Sequence, residues 1–299
     1  LLDRIHRIKF NYLSVKEKII ISKQFLVPDI LKKFNLECIV NMSDDIIKYL
    51  IETYTNEPGV RKLKEIIFEI VGEINLNLLN KIEVSFPIQV SQNDFGILYL
   101  KDRYKIIKKK IHASPTVGTI NGLWANVNGN GGVIPIECNW CPCTAFLDLK
   151  LTGMQGDVMK ESMNVSKTLA WSLTPDKTKK HLRKQYEKQG IHIHCPEGAV
   201  PKDGPSAGTA ITIAIFSLLN SKKIKNDIAI TGEISLSGKI TAIGGLDLKI
   251  LGAVNAGVKE ILYPKENKEM LEKFLQKNEV DIKLHSVSNI QDVLRMVFI

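Results

Sequence analysis

Hydrophobic periodicity changes once along this 299-residue chain, close to Pro115, and that change limits the folds open to it. Before it, apolar residues recur at three- and four-residue steps. Leu63, Ile66, Ile67, Ile70, Ile74 and Leu78 form one helical stripe. Two shorter helices are expected ahead of it. Ser14-Val15-Lys16-Glu17 has the capping-box pattern before Ile19, Ile20, Ile21, Phe25 and Leu26, and Pro28 should end or bend that helix. Ser43 is placed to cap a second helix through Ile46, Ile47, Leu50 and Ile51. Residues 1–83 therefore read as a small all-helical unit. Residues 84–115, with Pro87, Asn93-Asp94 and Lys108-Lys109-Lys110, read as a connection around one or two short strands.

After Pro115, Gly118, Gly122 and the run Asn128 to Gly132 punctuate short β-prone pieces, with a hairpin turn expected over 128–132. Helices and strands then alternate. Helices are expected over 157–172, 206–219 and 246–256, the last closed by Gly257. Strands are expected over 191–195, 228–231, 260–263 and 280–284, with a helix between the last two and a terminal helix after them. Residues 116–299 thus read as one α/β (α+β) domain with a mixed sheet.

Composition narrows the function classes. No apolar run reaches about 18 residues, so no membrane span is expected. Five cysteines form an odd, sparse set unlike a disulfide scaffold, which points to a reducing compartment. Cys138, Cys141 and Cys143 lie close together, but no second pair follows to complete a zinc site, and no metal is expected. The net charge of +9 favours polyanions non-specifically, and a non-specific DNA-binding activity is one reading of it. Solvated surface is the plainer reading of Lys108–Lys110 and of the basic run 177–184, since no nucleic-acid-binding signature accompanies them. The first residues, Leu1-Leu2-Asp3-Arg4, lack a Met and a signal-peptide layout, and read as a cut within a longer protein.

The stretch richest in chemistry is Pro201-Lys202-Asp203-Gly204-Pro205-Ser206-Ala207-Gly208, between a strand and an apolar helix. Gly204-Pro205 forces a tight turn that presents Ser206 at a helix start, where free backbone N–H groups and the helix dipole suit an oxyanion. Ser206 or Asp203 could equally serve as a cap. A serine nucleophile needs a base, and the G-x-S-x-G elbow is absent. His192 and His194, on one face of a strand, are candidates. Lys249 is another: among Leu246, Leu248, Ile250 and Leu251 its charged form is disfavoured, although a surface lysine reaching for water fits the same position.

Four stretches resemble the Lon protease family in order and spacing. They are Leu151-Thr152-Gly153 with Gly156 to Ser162; Ile191 to His194 with 196–208; Thr231 to Gly238; and Ile243 to Lys249 with Ala256 to Lys259 and Pro264 to Asn267. The resemblance implies a Lon-type proteolytic domain over 116–299, with Ser206 as nucleophile, Lys249 as base, Thr231 orienting the lysine, and Asp203 as an acid able to reach it. His192 and His194 match positions that are not the base. Asp247 and Leu248 stand where the family usually has Lys and Glu, and Cys141-Pro142-Cys143 replaces a glycine-containing turn.

The helices of 1–83 resemble the lid of the Lon AAA+ ATPase module, on Leu1-Leu2-Asp3-Arg4, Tyr54-Thr55 and Gly59-Val60-Arg61. Arg61 matches a sensor arginine that touches nucleotide phosphates, although an exposed arginine at a helix start is equally ordinary. No G-x-x-x-x-G-K-[ST] loop occurs in the chain, so ATP and Mg²⁺ would bind upstream of it. Taken together, the resemblance implies an ATP-dependent serine endopeptidase that degrades misfolded or damaged proteins as a homo-hexamer. The expected setting is the mitochondrial matrix, with a bacterial-type cytoplasm as the alternative. A non-proteolytic relative that keeps the fold, or a DNA-binding module, would fit the same sequence features.

Overall fold

The computed structural model describes residues 13–55, 57–80, 86–106, 110–126, 129–196, 202–276, 278 and 280–299. The stretches Leu1–Arg4, Lys108-Lys109, Asn128 and Glu197–Pro201, used above, lie outside these residues. The chain divides near residue 107 into two compact units.

The first unit is mainly helical. It holds α1 (Val15–Ile21), α2 (Val27–Lys33), α3 (Asp44–Tyr54) and α4 (Arg61–Leu79). Ser14 and Glu17 form the expected reciprocal cap on α1, and Ser43 Oγ accepts from Ile46 N on α3 at 3.4 Å. Pro28 does not end the first helix. A π-helical stretch, Ser22–Leu26, runs directly into α2, with Val27 N bonded to Ser22 O, so the wider turn takes up the misfit that a proline ring forces on an α-helix. Leu63, Ile66, Ile67 and Ile70 of α4 are fully buried, as the stripe predicts. Strand β1 (Val40–Asn41) pairs in parallel with β2 (Ile88–Gln89), and Ile88, Val90, Phe95, Tyr99 and Leu100 pack into the same core. Part of the span read as a connection is therefore structural filling for the helices.

The second unit is a three-layer α/β domain. Its strands are β3 (Thr116–Val117), β4 (Thr119–Ala125), β5 (Gly131–Pro142), β6 (Leu149–Thr152), β7 (Gln189–His194), β8 (Lys223–Ile224), β9 (Ile228–Ile230), β10 (Glu233–Ile234), β11 (Ile240–Thr241), β12 (Glu260–Pro264) and β13 (Lys283–Val287). Seven of them form one mixed sheet in the order β13-β12-β9-β4-β5-β7-β6. β4–β5 and β5–β7 are antiparallel, and the other neighbours are parallel.

Helices α5 (Asp157–Leu173), α6 (Asp176–Gln185), α7 (Gly208–Asn220), α8 (Leu246–Ala256), α9 (Lys268–Leu275) and α10 (Ile290–Val297) complete the unit. Strand alternation assigns two faces. Ile120, Ile134, Ile136 and Ile230 share a core with α5, α7 and α10, whereas Leu123, Val133, Ala229 and Ile261 share one with α8 and α9. α7 is apolar all round because it is buried all round: Gly208 to Leu219 has no exposed residue.

Two elements depart from expectation. The basic run 177–184 forms α6, which buries only Leu182 and so lacks an apolar stripe; Lys179 and Arg183 lie over the Trp171 ring at 5.9 and 5.7 Å. The last strand begins at Lys283 rather than Val280, because Val280 and Ile282 pack against the second core without entering the ladder to β12. Among the described residues, no helix is long and apolar enough to cross a membrane.

Candidate active site

Ser206 and Lys249 come from helices on opposite faces of the sheet and meet beyond the C-terminal end of β9. Gly204 has φ +115°, a conformation that glycine adopts without strain. It turns the chain into a short 3₁₀ turn, Pro205–Ala207, which runs into α7. Ser206 thus lies in the first turn, where the backbone N–H groups of Ser206 and Ala207 lack an intrahelical acceptor. On the other face, Gly245 at φ +66° opens α8, and Lys249 sits in its first turns.

Lys249 is 3 % exposed, and its Nζ donates to Ser206 Oγ at 2.9 Å and to Thr231 Oγ1 at 3.1 Å. Thr231 follows β9, is fully buried, and donates its hydroxyl to Ser206 O at 3.3 Å. With that proton committed, the threonine oxygen is free to accept from the amine, which fixes the direction of the network. Burial lowers the Lys249 pKa from 10.5 to about 8. Among the described residues, no carboxylate acts against that shift.

Asp203 is exposed and engaged elsewhere. Its Oδ1 accepts from Met159 N at 3.0 Å, capping the first turn of α5, and from Gly204 N at 2.9 Å. The two histidines turn to Thr152, whose Oγ1 lies 2.8 Å from His192 Nε2 and 2.7 Å from His194 Nδ1. Burial lowers the His192 pKa, so it favours the neutral ring. Arg61 belongs to the first unit, at the start of α4, where it is 92 % exposed and lies 3.6 Å from Glu65. The structure therefore brings Ser206, Lys249 and Thr231 together, and it gives Asp203, His192 and His194 other partners.

The groups that hold this arrangement were not singled out from sequence. Gly232 N donates to Ser206 O at 2.8 Å, and Thr209 returns two bonds to Gly232 O, from N at 3.0 Å and Oγ1 at 2.9 Å. Ser166 Oγ donates to Gly208 O at 3.0 Å and ties α5 to the start of α7. Hydroxyls on otherwise apolar helix faces were the available signal. Asn267 mimics a strand for the loop that launches α8: it accepts from Ile243 N at 3.0 Å and donates to Ile243 O at 2.9 Å. Asn267→Ala leaves both buried groups unpaired and should cost about 2–3 kcal/mol in urea unfolding; a change below about 0.5 kcal/mol would show that the loop holds itself.

The family model of the Lon protease (S16) C-terminal proteolytic domain matches residues 90–299. The Lon protease of Fervidobacterium nodosum is 35% identical over 98% of this chain and 35% of its own length. The mitochondrial Lon protease homolog of Drosophila melanogaster is 32% identical over 99% of this chain and 29% of its own. The Lon protease homolog of Acanthamoeba polyphaga mimivirus is 32% identical over 98% of this chain and 35% of its own. The chain spans about a third of the length of the curated relatives it matches.

Proposed function

The chain belongs to the Lon protease family, its C-terminal part being that family's proteolytic domain, and from that premise we propose that it is a serine endopeptidase working through a Ser206–Lys249 dyad. The observation that carries this is the 2.9 Å contact between a buried lysine amine and the hydroxyl of a serine at a helix start. In the proposed cycle, neutral Lys249 takes the Ser206 proton while Oγ attacks the peptide carbonyl. The N–H groups at the start of α7 stabilise the oxyanion. The Lys249 ammonium then gives its proton to the leaving amine, and water, deprotonated by the same lysine, releases the acyl group. Thr231 orients the amine throughout.

Within the longer protein, we propose that cleavage is coupled to ATP and Mg²⁺ bound upstream of this chain, with Arg61 as the residue here that meets nucleotide. Misfolded or damaged proteins are the proposed substrates, and a homo-hexamer the proposed assembly. A mitochondrial relative supports a matrix setting, and bacterial relatives keep a bacterial-type cytoplasm as the alternative. A serine-directed peptide boronate should label the chain at Ser206, and ATP should speed casein digestion by the full-length protein but not by this chain, which should hydrolyse no ATP itself. Absence of labelling favours a non-proteolytic relative. ATP turnover by the pure chain contradicts the division of labour.

A further inference from the structure

Two glycines stand where α8 crosses β5. A Cβ added at Gly131 would lie 2.0 Å from Leu248 O and 3.0 Å from Lys249 N, and one added at Gly252 would lie 2.2 Å from Gly131 C and 2.3 Å from Gly132 N. All four are backbone atoms, so no side chain can swing aside. Backbone conformation does not explain either glycine. Neither has a positive φ, and Gly252 lies inside α8, where glycine is less favourable than alanine by about 1 kcal/mol. The remaining reason is space: the helix rests directly on the strand.

We propose that Gly131 and Gly252 are positioning residues for Lys249, which hold α8 at the depth from which the amine reaches Ser206. The proposal rests on the reading of Lys249 as the base. Lys249 is one turn from Gly252, and the Leu248–Lys249 peptide is the part of the helix that touches Gly131. Ordinary contact begins at 3.4 Å, so a methyl on Gly131 drives the Leu248 carbonyl back by about 1.4 Å. A shift of that size takes a 2.9 Å amine–hydroxyl contact beyond hydrogen-bond range and opens the amine to water. Gly132, the next residue on the same strand, differs. Its added Cβ would meet the Trp124 ring at 2.8 Å, and that ring packs against the core shared with α5 and α7, not the one shared with α8.

The test compares the full chain with Gly131→Ala, Gly252→Ala and Gly132→Ala, reading the Lys249 titration by NMR together with kcat and KM on a fluorogenic peptide. Gly131→Ala and Gly252→Ala should move the Lys249 midpoint up from about 8 toward 10.5. They should also lower kcat about 100-fold with KM unchanged. Gly132→Ala should keep both. An unchanged Lys249 midpoint in the first two variants overturns the proposal. So does loss of the folded state in both, because the glycines are assigned to the setting of α8 and not to holding the fold. Failure of the dyad itself would show separately, as wild-type cleavage that survives loss of Ser206, while the titration still reports on position.

Discussion

Ser206→Ala is expected to leave a folded proteolytic domain whose peptide cleavage is lower by about 10⁴-fold or more. The substitution removes one oxygen from a half-buried side chain on a turn shaped by Gly204 and Pro205. The bonds from Gly232 N and from the Thr231 hydroxyl go to the Ser206 carbonyl and survive the change. Thermal unfolding should therefore shift little, while kcat/KM on a fluorogenic peptide collapses. The residual rate would come from the oxyanion site alone, since members of a catalytic unit fail together. A purified variant within tenfold of the wild-type rate would remove Ser206 from the chemistry.

Lys249→Met should be inactive and yet more stable at pH 7. A charged amine buried among Leu246, Ile250 and Leu248 is costly, and its pKa of about 8 against 10.5 measures that cost at on the order of 3 kcal/mol. Methionine fills a similar volume without a charge. It forfeits two hydrogen bonds to hydroxyls, worth about 1 kcal/mol each. The net gain is about 1 kcal/mol. Its pH dependence follows from the sign of the shift. Below pH 8 the amine is protonated in both states and the penalty is complete. Between pH 8 and 10.5 the unfolded chain binds the proton and the folded one does not, so wild-type stability rises with pH. The advantage of Lys249→Met should accordingly be largest at pH 7 and fade toward pH 10.5. Chemical unfolding at several pH values checks this, and a variant less stable than wild type at pH 7 would mean that Lys249 is not held as a buried charge.

Much of this architecture was legible in local sequence, because most elements announce themselves in local period. α3, α4, α5, α8 and the Ser14 cap fall where their apolar spacing and capping residues place them. The Ser206 turn was legible too, since Gly204-Pro205 leaves few backbone choices. Elements defined by tertiary contact were not. Residues 88–100 show no strong period and take their order from the helices they cover. α6 has one buried residue and so no stripe to find. At the site, spacing left His192, His194 and Lys249 open as partners for Ser206. Only the fold carries Lys249 over the sheet end to the serine, and turns the histidines to Thr152. The capping of α5 by Asp203 joins residues 44 apart, and no local pattern encodes it.

The most direct test of the Ser206–Lys249 reading is a pH–rate profile of peptide cleavage for the wild type, His192→Ala and His194→Ala. The neutral amine is the active form of the proposed base, so the rate should climb with pH and reach half its plateau near pH 8. Both histidine variants should keep that midpoint while losing some stability, because their ring nitrogens tie β7 to Thr152 on β6. A wild-type midpoint near the ordinary histidine value of about 6.5 that disappears in either histidine variant would contradict the account and give the proton to an imidazole.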